Sequence, residues 1–202
     1  ALKKIDVHLP SPSLDDNSSD LKRLERALHK KMALDNIHCE YSVLKKLAHT
    51  VRRDRGKVSA VLFISEKEAT VIDVLAQSSA KKLFGIACDI GTSTVALHLI
   101  NLESGKIAST SSSLNQQIMC GEDVISRINY AQKAGGLKKL HHLIISTINH
   151  LIEKSSRQAG IETSDIYYAS FAGNTTMTHL FLGLEPRYIR EEPYIPTVHR
   201  VP

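Results

Sequence analysis

Phe84-Gly85-Ile86-Ala87-Cys88-Asp89-Ile90-Gly91-Thr92-Ser93-Thr94 runs an apolar stretch into the string Asp-x-Gly-Thr-Ser-Thr. Those residue types at that spacing suit a phosphate chain. Gly91 permits a tight turn and close backbone approach. The N–H groups and hydroxyls of Thr92, Ser93 and Thr94 can donate to phosphate oxygens, as in an anion-binding nest. Asp89, at the end of the apolar stretch, can hold Mg²⁺ through the water shell that this ion retains. The same string also fits an ordinary hairpin with an Asp-x-Gly turn.

Two further segments bear on the same chemistry. In Tyr168-Ala169-Ser170-Phe171-Ala172-Gly173-Asn174-Thr175-Thr176-Met177 a strand ends, Gly173 turns the chain and a helix starts, capped by Asn174 or Thr175. The free N–H groups of a helix N-terminus attract anions, so Gly173, Asn174, Thr175 and Thr176 are candidate phosphate contacts as well as plain capping residues. In Leu114–Ile128, Glu122 and Asp123 fall in the expected first turn of another helix. There they favour the helix dipole, and they can equally stand at a cleft rim, near Mg²⁺ or an attacking water, as catalytic carboxylates beside Asp89.

The elements that must position these residues divide at about residue 80. Leu2–Leu9 reads as a short strand. A helix capped by Ser19 or Asp20 runs to about Leu34, and a second spans about Tyr41 to Arg53, with Leu44, Leu47, Ala48 and Val51 as its apolar stripe. Val58–Ser65 and Ala69–Ala76 read as a hairpin, and residues 77–82 as a polar linker. From Leu83 the pattern changes. Leu83–Ile90 is a buried strand, Thr94–Leu102 and Ile107–Leu114 follow as strands, and helices are expected at about Gly121–Gln132 and Leu137–Gln158. Asp165–Phe171 is a strand, Asn174–Leu182 a helix, and residues 183–202 an extended, proline-bearing tail. The order is βββααβα, and the chain is expected to be α/β: a small α+β domain at 1–80, then a larger unit at 83–202.

The three segments together resemble one family. Gly-Ile-Ala-Cys-Asp-Ile-Gly-Thr-Ser-Thr, Leu-Asn-Gln-Gln-Ile followed by Gly-Glu-Asp-Val-Ile-Ser-Arg-Ile, and Phe-Ala-Gly-Asn-Thr-Thr-Met-Thr-His-Leu-Phe-Leu-Gly-Leu-Glu-Pro look like the ATPase part of the reductive activators of corrinoid proteins. The first 80 residues resemble that family's small middle domain. The resemblance implies that residues 83–202 form the first subdomain of an actin-like ATPase fold, the fold of acetate and sugar kinases, actin and the seventy-kilodalton chaperones. It implies ATP and Mg²⁺ as ligands, and a homodimer. It also implies a corrinoid protein partner, reduced from Co(II) to Co(I) by an electron driven uphill from a ferredoxin-type [2Fe–2S] cluster. The four cluster cysteines and the second half of the ATPase fold are missing from this sequence, so a fragment, inactive alone, is expected. A small-metabolite kinase of the same fold and a non-enzymatic docking module are the competing readings.

Composition is consistent with a water-soluble, cytoplasmic location. Charged residues make up 23% and no apolar run reaches the roughly 18 residues of a membrane helix. Cys39, Cys88 and Cys120 are far apart and have no zinc or cluster spacing. Of 26 Lys+Arg and 21 Asp+Glu, residues 1–82 hold 16 and 11, leaving 10 of each for 83–202. The basic pairs Lys22-Arg23, Lys30-Lys31, Lys45-Lys46 and Arg52-Arg53 form either a solvated face or a dock for an acidic protein. Nucleic acid is not expected, because aromatic content is only 5% and no recognition motif is present.

Overall fold

The computed structural model describes residues 1–79 and 81–199. Part of the expected linker (residue 80) and the end of the expected tail (200–202) lie outside the described residues. The chain separates into two compact units, Ala1–Lys81 and Lys82–Pro202, each with its own hydrophobic core. It is an α/β protein with two four-stranded sheets.

The first unit runs β1 (Leu2–His8), α1 (Asp20–Lys31), β2 (Asn36–Cys39), α2 (Tyr41–Arg53), β3 (Lys57–Ser65) and β4 (Glu68–Ala76). Its sheet order is β1-β3-β4-β2, antiparallel except for the parallel β2–β4 pair. Leu24 and Leu28 of α1 and Val43, Leu47 and Val51 of α2 are buried against Val58, Ala60, Leu62, Val71 and Val74. Each fully buried aliphatic side chain contributes about 1.5–3 kcal/mol, so this apolar stripe decides where the helices lie. Ser19 caps α1 by accepting from the N–H of Lys22. The helix ends at Lys31 rather than near Leu34, because the chain must straighten into β2, a strand the sequence pattern did not predict.

Four of the eight cations in the basic pairs of this unit meet carboxylates among the described residues. Arg23 and Arg52 both bond Asp20, Lys46 bonds Asp73, Lys22 meets Glu25, and Lys31 donates to the carbonyl of Asp6. Burial would raise the Asp20 pKa, but the hydrogen bonds from Arg52 and Arg23 outweigh it and hold the carboxyl below its usual value of 3.8. Lys30 and Arg53 have no such partner among the described residues.

The second unit runs β5 (Phe84–Ile90), β6 (Thr94–Asn101), β7 (Ile107–Leu114), α3 (Val124–Ala131), α4 (Gly136–Ala159), β8 (Ile166–Gly173) and α5 (Thr175–Leu182). Sheet order is β7-β6-β5-β8; β5 pairs antiparallel with β6 and parallel with β8. Among the described residues β8 has β5 on one side and no strand on the other. Strand alternation sends Phe84, Ile86, Cys88 and Ile90 into the core, where Leu140, Ile144, Ile148 and Leu151 of α4 cover them. Asp89 is thereby left on the opposite, open face.

Two local expectations are corrected here. The helix expected from Gly121 starts at Val124, since Asp123 is its N-cap and residues 116–120 form a 3₁₀ turn. The tail is not simply extended: Arg187–Ile189 is a 3₁₀ turn, and the Thr197 N–H donates to Nε2 of buried His179 at 3.1 Å.

Candidate functional site

Parallel pairing of β5 with β8 brings Ile90 opposite Gly173. The loops that leave both strands therefore open at the same edge of the sheet. In open α/β sheets that edge, at the carboxyl ends of parallel strands, is where ligands bind. Thr92 and Asn174, 82 residues apart in sequence, meet there, with Nδ2 of Asn174 donating to Oγ1 of Thr92 at 3.2 Å.

The first loop is held from behind by Asn115. Its side-chain Nδ2 donates to the Gly91 carbonyl at 2.9 Å and its backbone N–H to the Ser93 carbonyl at 2.8 Å. A trans peptide sets C=O and N–H antiparallel. Drawing the carbonyls of Gly91 and Ser93 inward thus turns the N–H groups of Thr92 and Thr94 the other way. The N–H groups of Thr92 and Ser93 find no acceptor among the described residues. Ser93 and Thr94 are exposed, with hydroxyls that make no hydrogen bond among the described residues. These are free donors of the kind an anion-binding nest needs.

In the second loop, Oδ1 of Asn174 accepts from the N–H of Met177 at 2.9 Å, so Asn174, not Thr175, caps α5. The N–H groups of Thr175 and Thr176 head the helix, where they have no intrahelical acceptor. Thr176 is buried and Thr175 exposed. Beside Gly173 opens a groove of about 520 Å³ lined by Tyr168, Phe171, Phe181 and His199. An Asn174→Ala variant is expected to lose about 1 kcal/mol of stability, the usual worth of such a cap. Thermal unfolding checks this; an unchanged midpoint would mean that the cap contributes nothing to stability.

Asp89 is exposed on β5, and its ladder neighbours are Ala96 and Ala172. Small neighbours leave room around the carboxylate for a hydrated cation. Its side chain makes no hydrogen bond or ion pair among the described residues. Behind it, the Cys88 thiol is pushed up to about 11, by burial first and by the Asp89 charge second, and is correspondingly inert.

The carboxylates of the third segment are placed differently from each other. Asp123 closes a capping box with Ser126, whose N–H it accepts at 2.8 Å. That backbone bond, foremost, holds the Asp123 carboxyl below its usual range. Glu122 is exposed and unpaired among the described residues.

Sequence reasoning did not single out the residues that support the loops. Gln117 is fully buried, donating Nε2 to the Leu140 carbonyl at 3.0 Å and sharing Oε1 between Asn115 at 3.4 Å and Arg127 at 3.3 Å. A signal was present: Val124, Arg127, Ile128 and Ala131 follow i, i+3, i+4, i+7 spacing, which sets Arg127 on the buried stripe of α3. Among the described residues no cluster of three or more His, Cys, Asp or Glu forms a metal cage, and no helix is long and apolar enough to cross a membrane.

The sequence profile of the RACo linker region matches residues 1–81, and that of the RACo middle region matches residues 84–202. The label "middle" thus falls on the second unit. The chain is 35% identical over 158 residues to the corrinoid activation enzyme RamQ of Eubacterium limosum, covering 77% of this chain and 26% of that protein. A solved structure of a reductive activator for corrinoid, iron-sulfur protein matches with a TM-score of 0.86 at 39% identity. It covers 100% of this chain and 32% of the other. The chain therefore spans about a quarter to a third of the length of these relatives.

Proposed function

The chain belongs to the RACo family, and from that premise we propose that its second unit carries the phosphate-binding loops of an actin-like ATPase. In the intact protein, ATP hydrolysis would drive an electron from an iron–sulfur cluster to the Co(II) corrinoid of a partner protein. The observation that carries this reading is the convergence of two donor-rich loops, joined by the Asn174–Thr92 bond, at the carboxyl ends of β5 and β8.

The donor set fits the ligands. The N–H groups of Thr92, Ser93, Thr175 and Thr176, with the hydroxyls of Ser93 and Thr94, would grip phosphate oxygens. Asp89, lacking other carboxylates in a cage, would take Mg²⁺ through water, the usual manner for an ion that shares its shell with phosphates. The bound metal would neutralise charge that develops on the transferred phosphoryl group. Of the two carboxylates of the third segment, Glu122 is free to orient a water, and Asp123 is engaged in capping. An iron–sulfur cluster does not fit this chain. Cys39 belongs to the first unit, Cys88 is buried in β5, and Cys120 ends a 3₁₀ turn. A cluster would belong to another part of the protein.

The test is anaerobic reduction of a Co(II) corrinoid protein by the intact protein, followed by visible absorption with and without Mg-ATP. Conversion to Co(I) that requires ATP supports the proposal. A colourless protein that binds Mg-ATP and phosphorylates a small metabolite would replace it with the kinase reading.

A further inference from the structure

Arg127 is 0% exposed, yet no carboxylate pairs with it among the described residues. Its Nε donates to the Gly121 carbonyl at 2.8 Å and its Nη1 to Oε1 of Gln117 at 3.3 Å. Nη1 also lies 3.3 Å from Sδ of Met177. Nη2 is buried with no acceptor. Burial weighs foremost against its charge, and the Asp123 carboxylate, which favours it, is turned to the Ser126 N–H. A guanidinium stays charged in a protein interior, and an unpaired buried charge is costly to retain.

Its surroundings suggest what offsets that cost. Through Gln117 it reaches Asn115, which anchors the carbonyls of Gly91 and Ser93. Through Met177 it touches the first turn of α5, the residue whose N–H Asn174 caps. One cation is thus tied to the backs of both phosphate loops. We propose that Arg127 is a positioning residue whose unpaired positive charge is balanced by the phosphates of a nucleotide bound in the two loops. It acts through Gln117 and Met177 without touching the ligand. This rests on the ATP-site reading above.

A mere structural strut and a counter-charge differ in one measurable way: only the counter-charge discriminates ligands by their number of phosphates. In the intact protein at fixed salt, Arg127→Met keeps length and removes charge, and Arg127→Lys keeps charge. Affinities for ATP, ADP and AMP are measured by calorimetry, and the midpoint of thermal unfolding without nucleotide is recorded. Arg127→Met is expected to weaken ATP about tenfold, ADP less and AMP about twofold or less, the ordering that Coulomb interaction dictates. Its unliganded midpoint should fall, because the Gly121 carbonyl loses its side-chain donor and Oε1 of Gln117 loses one of its two. Arg127→Lys should bind ATP more tightly than Arg127→Met. Equal losses for all three nucleotides, or no loss for ATP, would overturn the proposal while leaving the ATP site intact. A wild-type protein that binds none of the three would overturn the ATP-site reading itself, and this inference with it.

Discussion

An Asp89→Asn variant of the intact protein is expected to lose Mg²⁺-dependent ATP hydrolysis by about 100-fold or more, the scale seen when one preorganised electrostatic group is removed from a reacting centre. Its fold should be unaffected. Asp89 contributes to the sheet through its backbone, in register with Ala96 and Ala172, and its carboxylate makes no bond among the described residues. Asn preserves shape while removing the charge that would hold the hydrated ion. Steady-state phosphate release at saturating Mg-ATP, with circular dichroism to verify folding, decides the matter. Normal turnover in a folded variant would remove Asp89 from the metal site.

The Gly91→Ala exchange should act on binding rather than on the chemical step. A Cβ at Gly91 would stand 2.5 Å from the carbonyl oxygen of Thr94, a backbone atom at the start of β6. The strand cannot swing aside without releasing its pairing with β5 and β7, so the loop must shift instead. That shift would break the Asn115 bonds that turn the loop amides outward. We expect about 1–3 kcal/mol of lost stability, typical of overpacking, and loss of detectable nucleotide binding. Gly105→Ala provides the contrast. Gly105 lies in the turn between β6 and β7 with φ +70° and nothing within 4 Å of its would-be Cβ. It should lose some stability from backbone strain alone and keep nucleotide affinity. If Gly91→Ala binds ATP as the wild type does, the first loop is not the phosphate cradle.

The elements that the sequence made legible are those with strong periodicity. The stripe of α4 and the continuous apolar run of β5 announce themselves because each meets one large partner surface. β2 did not, since Asn36-Ile37-His38-Cys39 is short and weakly apolar; its pairing beside β4 is a tertiary fact. The start of α3 was displaced because Gly121, Glu122 and Asp123 look like a first helical turn, whereas the Asp123–Ser126 capping box sets the boundary after them. For the candidate site, the loop residues could be named from type and spacing. Their supports could not, because Asn115, Gln117 and Arg127 act on groups 24, 23 and 50 residues away in sequence. Only Arg127 left a trace, as a cation at an apolar position.

The one-sided pairing of β8 has a consequence for isotope exchange. Along a strand, successive backbone N–H groups point to opposite sides, so in β8 alternate amides face β5 and the rest face away from it. Deuterium uptake along Tyr168–Gly173, the run in unbroken register with β5, should therefore rise and fall with a period of two residues. Slow exchange at every position would mean that another strand had closed the outer edge, and the lost alternation would report that closure residue by residue.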